Sequence, residues 1–393
     1  MTVTARIAEA HAEMRAWRHA LHAHPETAYE EVRTADLVAQ ALASFGVEVH
    51  RGLARTGVVG TLRSGTGARA VGLRADMDAL PIEEANTFAH RSRRPGKMHA
   101  CGHDGHTAML LGAAQHLAAT RAFDGTVRFI FQPAEESEGG GRAMIEDGLF
   151  ERFPVDAVFG MHNWPGLPVG EFAVRPGPMM ASSDVFEITV AGRGGHAAMP
   201  HNVVDPIVAA SHVVQALQTI VSRNAAPVEA AVVTVTQIHG GDAWNVVPGE
   251  VVLRGTARAF RPEVQDLIEE GIARVCGGVA AAFGARATVR YERRYPPTVN
   301  TPAEAAFAAD VMRELVGRER VHTDLPPTMG AEDFAYMLQA RPGAYAWIGN
   351  GPGEGGCMLH NPRYDFNDDI LPLGASYWVR LAESFLGAGA PRA

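Results

Sequence analysis

Short apolar runs alternate with helical periodicity along most of the chain. Ile7, Met14, Trp17 and Leu21 recur at helical spacing, and Val32, Leu37, Val38, Leu42 and Phe45 extend the pattern into a second helix that Gly46 ends. The runs GVVGTLR from Gly57, AVGLRAD from Ala70, TVRFIFQ from Thr126 and DAVFGMH from Asp156 are short, apolar and bounded by turn residues, as buried strands are. The last three end on chemically active side chains: Asp76, the segment from Gln132 to Glu136, and His162. In an open α/β sheet ligands collect beyond the carboxyl ends of the strands, so this pattern predicts one crevice lined by those ends.

From Ser183 the rhythm changes to strand (DVFEITVAG), helix (Val204 to about Arg223), strand (AAVVTVTQIHG), strand (EVVLRGTARAF), helix (Pro262 to about Phe283) and strand (ATVRYERRY). This βαββαβ order predicts a ferredoxin-like four-stranded sheet with two helices on one face. Pro176 and Pro178 on one side and Pro296 and Pro297 on the other suit hinge segments. The expected organisation is α/β, with a first domain at 1–180 and 297–393 interrupted by a second at 181–296. Beyond Pro297 the pattern predicts helices at Thr301 to Leu315 and Glu332 to Gln339, the strand AYAWIGN, a loop carrying His360, and a last helix from about Ile370 to Leu386.

Composition narrows the function classes. A chain of 393 residues with 47% hydrophobic and 20% charged residues is an ordinary globular protein of two domains. A net charge of -9 argues against nucleic acid as a partner. No stretch reaches the roughly 18 apolar residues of a membrane span, and the first residues lack a leader with an apolar core and cleavage site. Cys101, Cys276 and Cys357 are too few and too scattered for a disulfide framework, which points to the reducing cytoplasm.

The candidate chemistry lies in five segments: HACGHDGH at His99 to His106, QPAEE ending at Glu136, GMHNWP around His162, GGHAAMPH around His196 and LHNPRYDF around His360. Thiolate, imidazole and carboxylate donors in this number suit divalent cations. Cys101 and His103 are two apart, which does not place both on one helical face, so they are expected on the loop before the helix of TAMLLGAAQHL. A thiolate there can coordinate two cations at once. Pro133 stops its strand and exposes Glu135 and Glu136, two adjacent carboxylates that can point different ways: one to a metal, the other to an attacking water.

In this order, these motifs resemble the amidohydrolase branch of the aminoacylase and carboxypeptidase metallopeptidase family, which includes hippurate hydrolases and indole-3-acetyl-amino acid hydrolases. The resemblance implies a zinc-peptidase-like catalytic domain with two divalent metal ions, and an inserted lid domain through which subunits form a homodimer. It makes Cys101 the bridging ligand, with His103 and His162 completing one metal, Glu136 and His360 the other, and Glu135 the general base. It sends His196 to the active site of the partner subunit and gives Asn245 and Arg258 the substrate carboxylate, with Gly330 flanking the pocket. More distant relatives carry a bridging aspartate in place of Cys101 and a ligating His-x-Asp where this chain reads Asp76-Met77-Asp78. Zinc is therefore expected beside manganese, cobalt or nickel, and Asp76 and Asp78 are expected to support the site. The implied activity is hydrolysis of N-acyl amino acids, small-molecule substrates cleaved to a carboxylic acid and a free amino acid. The alternatives are a dipeptidase, an N-acetyl-diaminopimelate-type deacetylase, or a catalytically silent protein that keeps the metal cleft.

Overall fold

The computed structural model describes residues 5–136, 138–352 and 357–387. Helices α1 (Ala5–Glu9), α2 (His11–His22) and α3 (Val32–Ser44) precede strands β1 (Glu48–Leu53), β2 (Gly57–Ser64) and β3 (Ala70–Asp76). Then come α4 (His103–Thr120), β4 (Gly125–Gln132), α5 (Gly140–Glu146), α6 (Leu149–Arg152), β5 (Ala157–Pro165), β6 (Phe172–Ala173) and β7 (Gly177–Met180). The middle of the chain forms β8 (Ser183–Ala191), β9 (Gly195–His196), α7 (Pro206–Thr219), β10 (Ala231–His239), β11 (Val246–Val247), β12 (Glu250–Ala259), α8 (Pro262–Ala282) and β13 (Arg286–Tyr295). It closes with β14 (Thr298–Asn300), α9 (Pro302–Val316), β15 (Val321–His322), α10 (Phe334–Ala340), β16 (Gly343–Gly351) and α11 (Leu371–Leu386).

The chain divides into two compact units, one of Met1–Met179, Val299–Pro326 and Asp333–Ala393, the other of Met180–Thr298 and Pro327–Glu332. In the first unit an eight-stranded mixed sheet runs β1-β2-β4-β3-β5-β16-β6-β15 among the described residues. Its centre is parallel: β3 pairs with β4 and β5, and β5 with β16. Central strands covered on both faces need apolar side chains on both, and β16 is buried at every position. Helix α4 packs between the sheet and α2, α3 and α11, so its first twelve residues, His103 to Ala114, are all buried. It starts at His103, four residues earlier than the apolar pattern suggests, because polar side chains on its first turn face buried partners instead of water.

The second unit is the expected βαββαβ fold, with sheet order β10-β12-β8-β13 and every pairing antiparallel. Strand β8 alternates between half-buried and buried positions up to Val190 and ends on exposed Ala191, and Phe186, Ile188 and Val190 pack with Ala209, Val213 and Leu217 of α7 and Ile268 and Ile272 of α8. A two-residue ladder, His196 opposite Val246 and Gly195 opposite Val247, was not apparent in the hydrophobic pattern because both strands are too short to show a period.

Asp184, only 1% exposed, sits beneath this sheet and accepts hydrogen bonds from the Gln265 amide at 2.8 Å and the Tyr291 hydroxyl at 2.6 Å. Burial raises its pKa above the ordinary value, more than those donors lower it. A raised carboxyl pKa means that the folded state holds the proton more tightly than the unfolded chain. The resulting stability is complete below the unfolded value of about 3.9 and fades as pH rises through the folded value. Asp184→Asn keeps the polar partners but cannot ionise, so it should gain on the wild type in melting temperature as pH is raised from about 4 to about 7. An offset between the two proteins that stays constant across that range would contradict the assignment.

Candidate metal centre

Two features place donors beyond the ends of β3, β4 and β5. Gly102, with φ +96°, turns the chain into α4, and a Cβ there would lie 2.2 Å from Asn163 Oδ1. That turn leaves Cys101 before the helix and His103 as its first residue. At the end of β4, Ala134 has φ +54°, a left-handed conformation that a non-glycine residue adopts at some cost. Its N–H donates to Glu31 Oε1 at 2.9 Å, while Glu31 Oε2 accepts from the Thr56 hydroxyl at 2.7 Å. Burial, reinforced by the nearby Asp78 charge, lifts the Glu31 pKa to about 7. This buried carboxylate holds the turn that presents Glu135 and Glu136.

Six residues named from the sequence, Cys101, His103, Glu135, Glu136, His162 and His360, lie together in the first unit. Cys101, His103 and His162 each offer a donor atom within 4.8 Å of the others, as do Cys101, Glu136 and His360, and as do His103, Glu135 and Glu136. Cys101 is common to the first two groups. Its Sγ lies 3.3 Å from His162 Nε2, and His360 Nε2 lies 3.2 Å from Glu136 Oε1. His360 itself has φ +64°, and its N–H is tied to the Ala100 carbonyl at 2.8 Å.

Hydrogen bonds around the cluster orient its donors inward. His103 Nδ1 donates to the Asp78 carbonyl at 2.9 Å, and Asp78 Oδ2 accepts from the Glu136 N–H at 2.9 Å, so one aspartate braces two neighbours. His162 Nδ1 donates to the Asn163 carbonyl at 2.6 Å. His103 Nε2 is buried without a hydrogen-bond partner, 3.8 Å from Asp76 Oδ2 and 4.0 Å from Glu136 Oε1. A buried polar atom left in that condition costs free energy unless another group completes it.

The electrostatics point the same way. Burial opposes a charge on His103, but Asp76, Asp78 and Glu136 outweigh it and hold its pKa up at about 10. Burial, together with Glu136, Glu135 and Asp76, pushes the Cys101 thiol well above its usual range. Burial, with His106 beside it, keeps His162 neutral. An acid-rich pocket that pulls a proton onto one imidazole and cannot ionise its own thiol fits divalent cations, which would replace that proton and neutralise the thiolate.

Beneath Glu135, Arg74 is 1% exposed and bridges Asp76 at 2.7 Å, Gln132 at 2.9 Å and Asp333 at 3.1 Å. Asp333 also accepts from the Gly141 N–H at 2.7 Å, and its own N–H reaches Glu135 Oε1 at 3.4 Å. Asp76 is thus engaged with Arg74 and His106, whereas Asp78 touches the cluster. Arg74, Glu31, His106, Asn163 and Asp333 have no individual role in the sequence reading, although His106 and Asn163 lie inside the HACGHDGH and GMHNWP segments. Only His106 carried a usable signal, lying three residues after His103 and therefore on the same face of α4.

The remaining residues singled out from sequence belong to the second unit. His196 and Asn245 are neighbours, since the Ala197 N–H donates to the Asn245 carbonyl at 3.0 Å, and both are exposed. Arg258 is half-buried on β12, on the sheet face opposite Leu253 and Ala257, and burial lowers its pKa. The Gly330 carbonyl accepts from the Ala181 N–H at 2.9 Å. Among the described residues no helix is long and apolar enough to cross a membrane, and Cys101, Cys276 and Cys357 are all free thiols.

The chain is 44% identical to a hippurate hydrolase of Campylobacter jejuni over 94% of its own length and 95% of the relative's. It is 42% identical to IAA-amino acid hydrolase ILR1-like 4 of Arabidopsis thaliana over 94% of its length and 84% of the relative's. The Bacillus subtilis YXEP protein, described as a dinuclear metal binding peptidase from the M20 family, superposes with a TM-score of 0.84 at 35% identity, covering 96% of this chain and 99% of that one. Residues 72–384, from β3 into the last helix, match the profile of Peptidase family M20/M25/M40, and with relatives of this similarity along nearly its whole length the chain belongs to that family.

Proposed function

We propose that the protein is a metal-dependent amidohydrolase that cleaves N-acyl amino acids to a carboxylic acid and a free amino acid. The observation that carries this reading is the convergence of buried Cys101, His103 and His162 with half-buried Glu136 and exposed His360 beside Glu135. The hippurate and IAA-amino acid hydrolases among its relatives support the substrate class. Cys101 is the donor shared by the two halves of the site, His103 and His162 complete one half, and Glu136 and His360 the other. Divalent cations bound there supply Lewis acidity. A thiolate among the donors favours zinc, with manganese, cobalt and nickel as the other choices.

Glu135 is the general base. Its carboxylate takes a proton from the attacking water as the oxygen bonds to the amide carbon, then gives that proton to the nitrogen as the C–N bond breaks. His196 serves as a donor to the oxyanion in the partner subunit of a homodimer formed through the second unit, which acts as the lid. Asn245 and Arg258 receive the substrate carboxylate, for which the guanidinium fork is suited, and Gly330 borders the pocket. A cytoplasmic setting suits the free thiols.

A panel of N-acyl amino acids and dipeptides, assayed for released amino acid with each metal added in turn, tests the function. Hippurate or an N-acetyl or indole-acetyl conjugate should be cleaved, dipeptides should not, and a chelator should abolish turnover until metal is restored. Cleavage of dipeptides alone would select the dipeptidase reading. Absence of any hydrolysis with metal bound would select the silent one.

A further inference from the structure

Asp76, His103 and His106 also bring donor atoms within 4.8 Å of one another, but this further group is already spoken for. His106 Nδ1 is 2.6 Å from Asp76 Oδ1, and its Nε2 accepts the Asn163 N–H at 3.0 Å. The other oxygen of Asp76 is paired with the guanidinium of Arg74 at 2.7 Å. A cation placed there would have to displace a buried arginine and break both bonds of the ring. Nε2 of His106 also lies 2.7 Å from Asn163 Oδ1, so the two ring nitrogens are held between Asp76 on one side and Asn163 on the other.

We propose that His106 is a positioning residue for His162, acting through Asn163; the inference rests on His162 being a metal ligand. His106 is 2% exposed and Asn163 is fully buried. The Asn163 side-chain amide spans His106 Nε2 and the Tyr364 hydroxyl, so the residue is gripped at its backbone N–H and its side chain together. Its carbonyl is the acceptor for His162 Nδ1, which fixes the imidazole tautomer and leaves Nε2 bare and directed at Cys101 Sγ. The rings of His106 and His162 also meet edge to face, with centroids 4.5 Å apart. The chain of contacts Arg74, Asp76, His106, Asn163 thus ends on a cluster donor. Hydrogen bonds of this kind preset a ligand's orientation before metal arrives, and their loss typically lowers metal affinity about 10–100-fold.

The test uses Co2+ alone as probe, with affinity measured by chelator competition and the sulfur-to-cobalt absorption followed in parallel. His106→Leu should weaken Co2+ binding by about 10–100-fold and perturb that absorption. His106→Gln, whose carbonyl oxygen can accept the Asn163 N–H, should recover most of the affinity. Leu315→Ala, a cavity variant in α9, serves as a control for lowered stability and should leave Co2+ affinity unchanged. Co2+ affinity of His106→Leu within twofold of wild type, or a loss that Leu315→Ala reproduces, overturns the inference. If neither His106 variant folds, Asn163→Ala decides: it removes the amide but keeps the carbonyl, and unchanged affinity overturns the clamp. Failure of the wild type to bind Co2+, or binding unaffected by His162→Ala, would instead defeat the metal reading on which the inference rests.

Discussion

Glu135→Gln should lower kcat by about 10²–10⁴ while metal content and melting temperature stay near the wild-type values. The substitution preserves shape and keeps an oxygen for the Asp333 N–H, 3.4 Å away, but removes the only property the proposed role requires, the capacity to hold a proton in transit. Glu136, adjacent in sequence, should behave differently. Its N–H is held by Asp78 and its carboxylate lies among the donors of Cys101 and His360, so Glu136→Gln should lose metal first and activity as a consequence. The pair of variants separates a base from a ligand by elemental analysis together with a rate assay. Mixing Glu135→Gln with His196→Ala protomers should restore some turnover if His196 works in the partner subunit. Near-normal turnover by Glu135→Gln alone would refute the base.

The second large effect is structural. Arg18 on α2 is fully buried and bonds to Asp104 at 2.9 Å, to Asp368 at 3.2 Å and to Asp365. His22, one turn later, joins Asp104 at 2.8 Å and Glu84 at 3.2 Å. Arg18→Met should destabilise the protein by about 3–5 kcal/mol, because it leaves the buried Asp104 charge without its main counter-ion. That is a large share of the roughly 5–15 kcal/mol that a folded protein has in hand. The double variant Arg18→Met with Asp104→Asn should recover part of the loss, since removing both charges avoids the stranded one. Denaturant midpoints measure both, and equal destabilisation in the single and double variants would contradict the account. Asp365 and Asp368 follow His360 in the same segment, so this buried arginine also anchors the stretch that carries a proposed ligand.

Much of the architecture was written in local pattern. Strands β3, β4 and β5 were readable because a strand covered on both faces must be apolar throughout, and the βαββαβ order of the second unit followed from the alternation along β8 and the proline-started helices α7 and α8. Strand β1, the edge strand EVHRGL, carries no such signal, because an edge can stay largely exposed and polar: of its residues only Leu53 is buried. The residues of the site that carry unusual chemistry, a cysteine between histidines and a pair of glutamates after a proline, could be named in advance because donor type and spacing are properties of the chain itself.

Their supports could not. Arg74, Glu31 and Asp333 are ordinary charged residues in the linear text, and nothing nearby distinguishes them from a solvated surface. Asp76 and Asp78 looked equivalent, yet the strand end turns one toward Arg74 and His106 and the other toward His103 and Glu136. Donor identity is covalent and survives in any conformation. Which donor is bare, which is braced and which charge is offset depends on groups up to 259 positions apart, as Arg74 and Asp333 are, and that is settled only when the folded backbone excludes water and brings them within bonding distance.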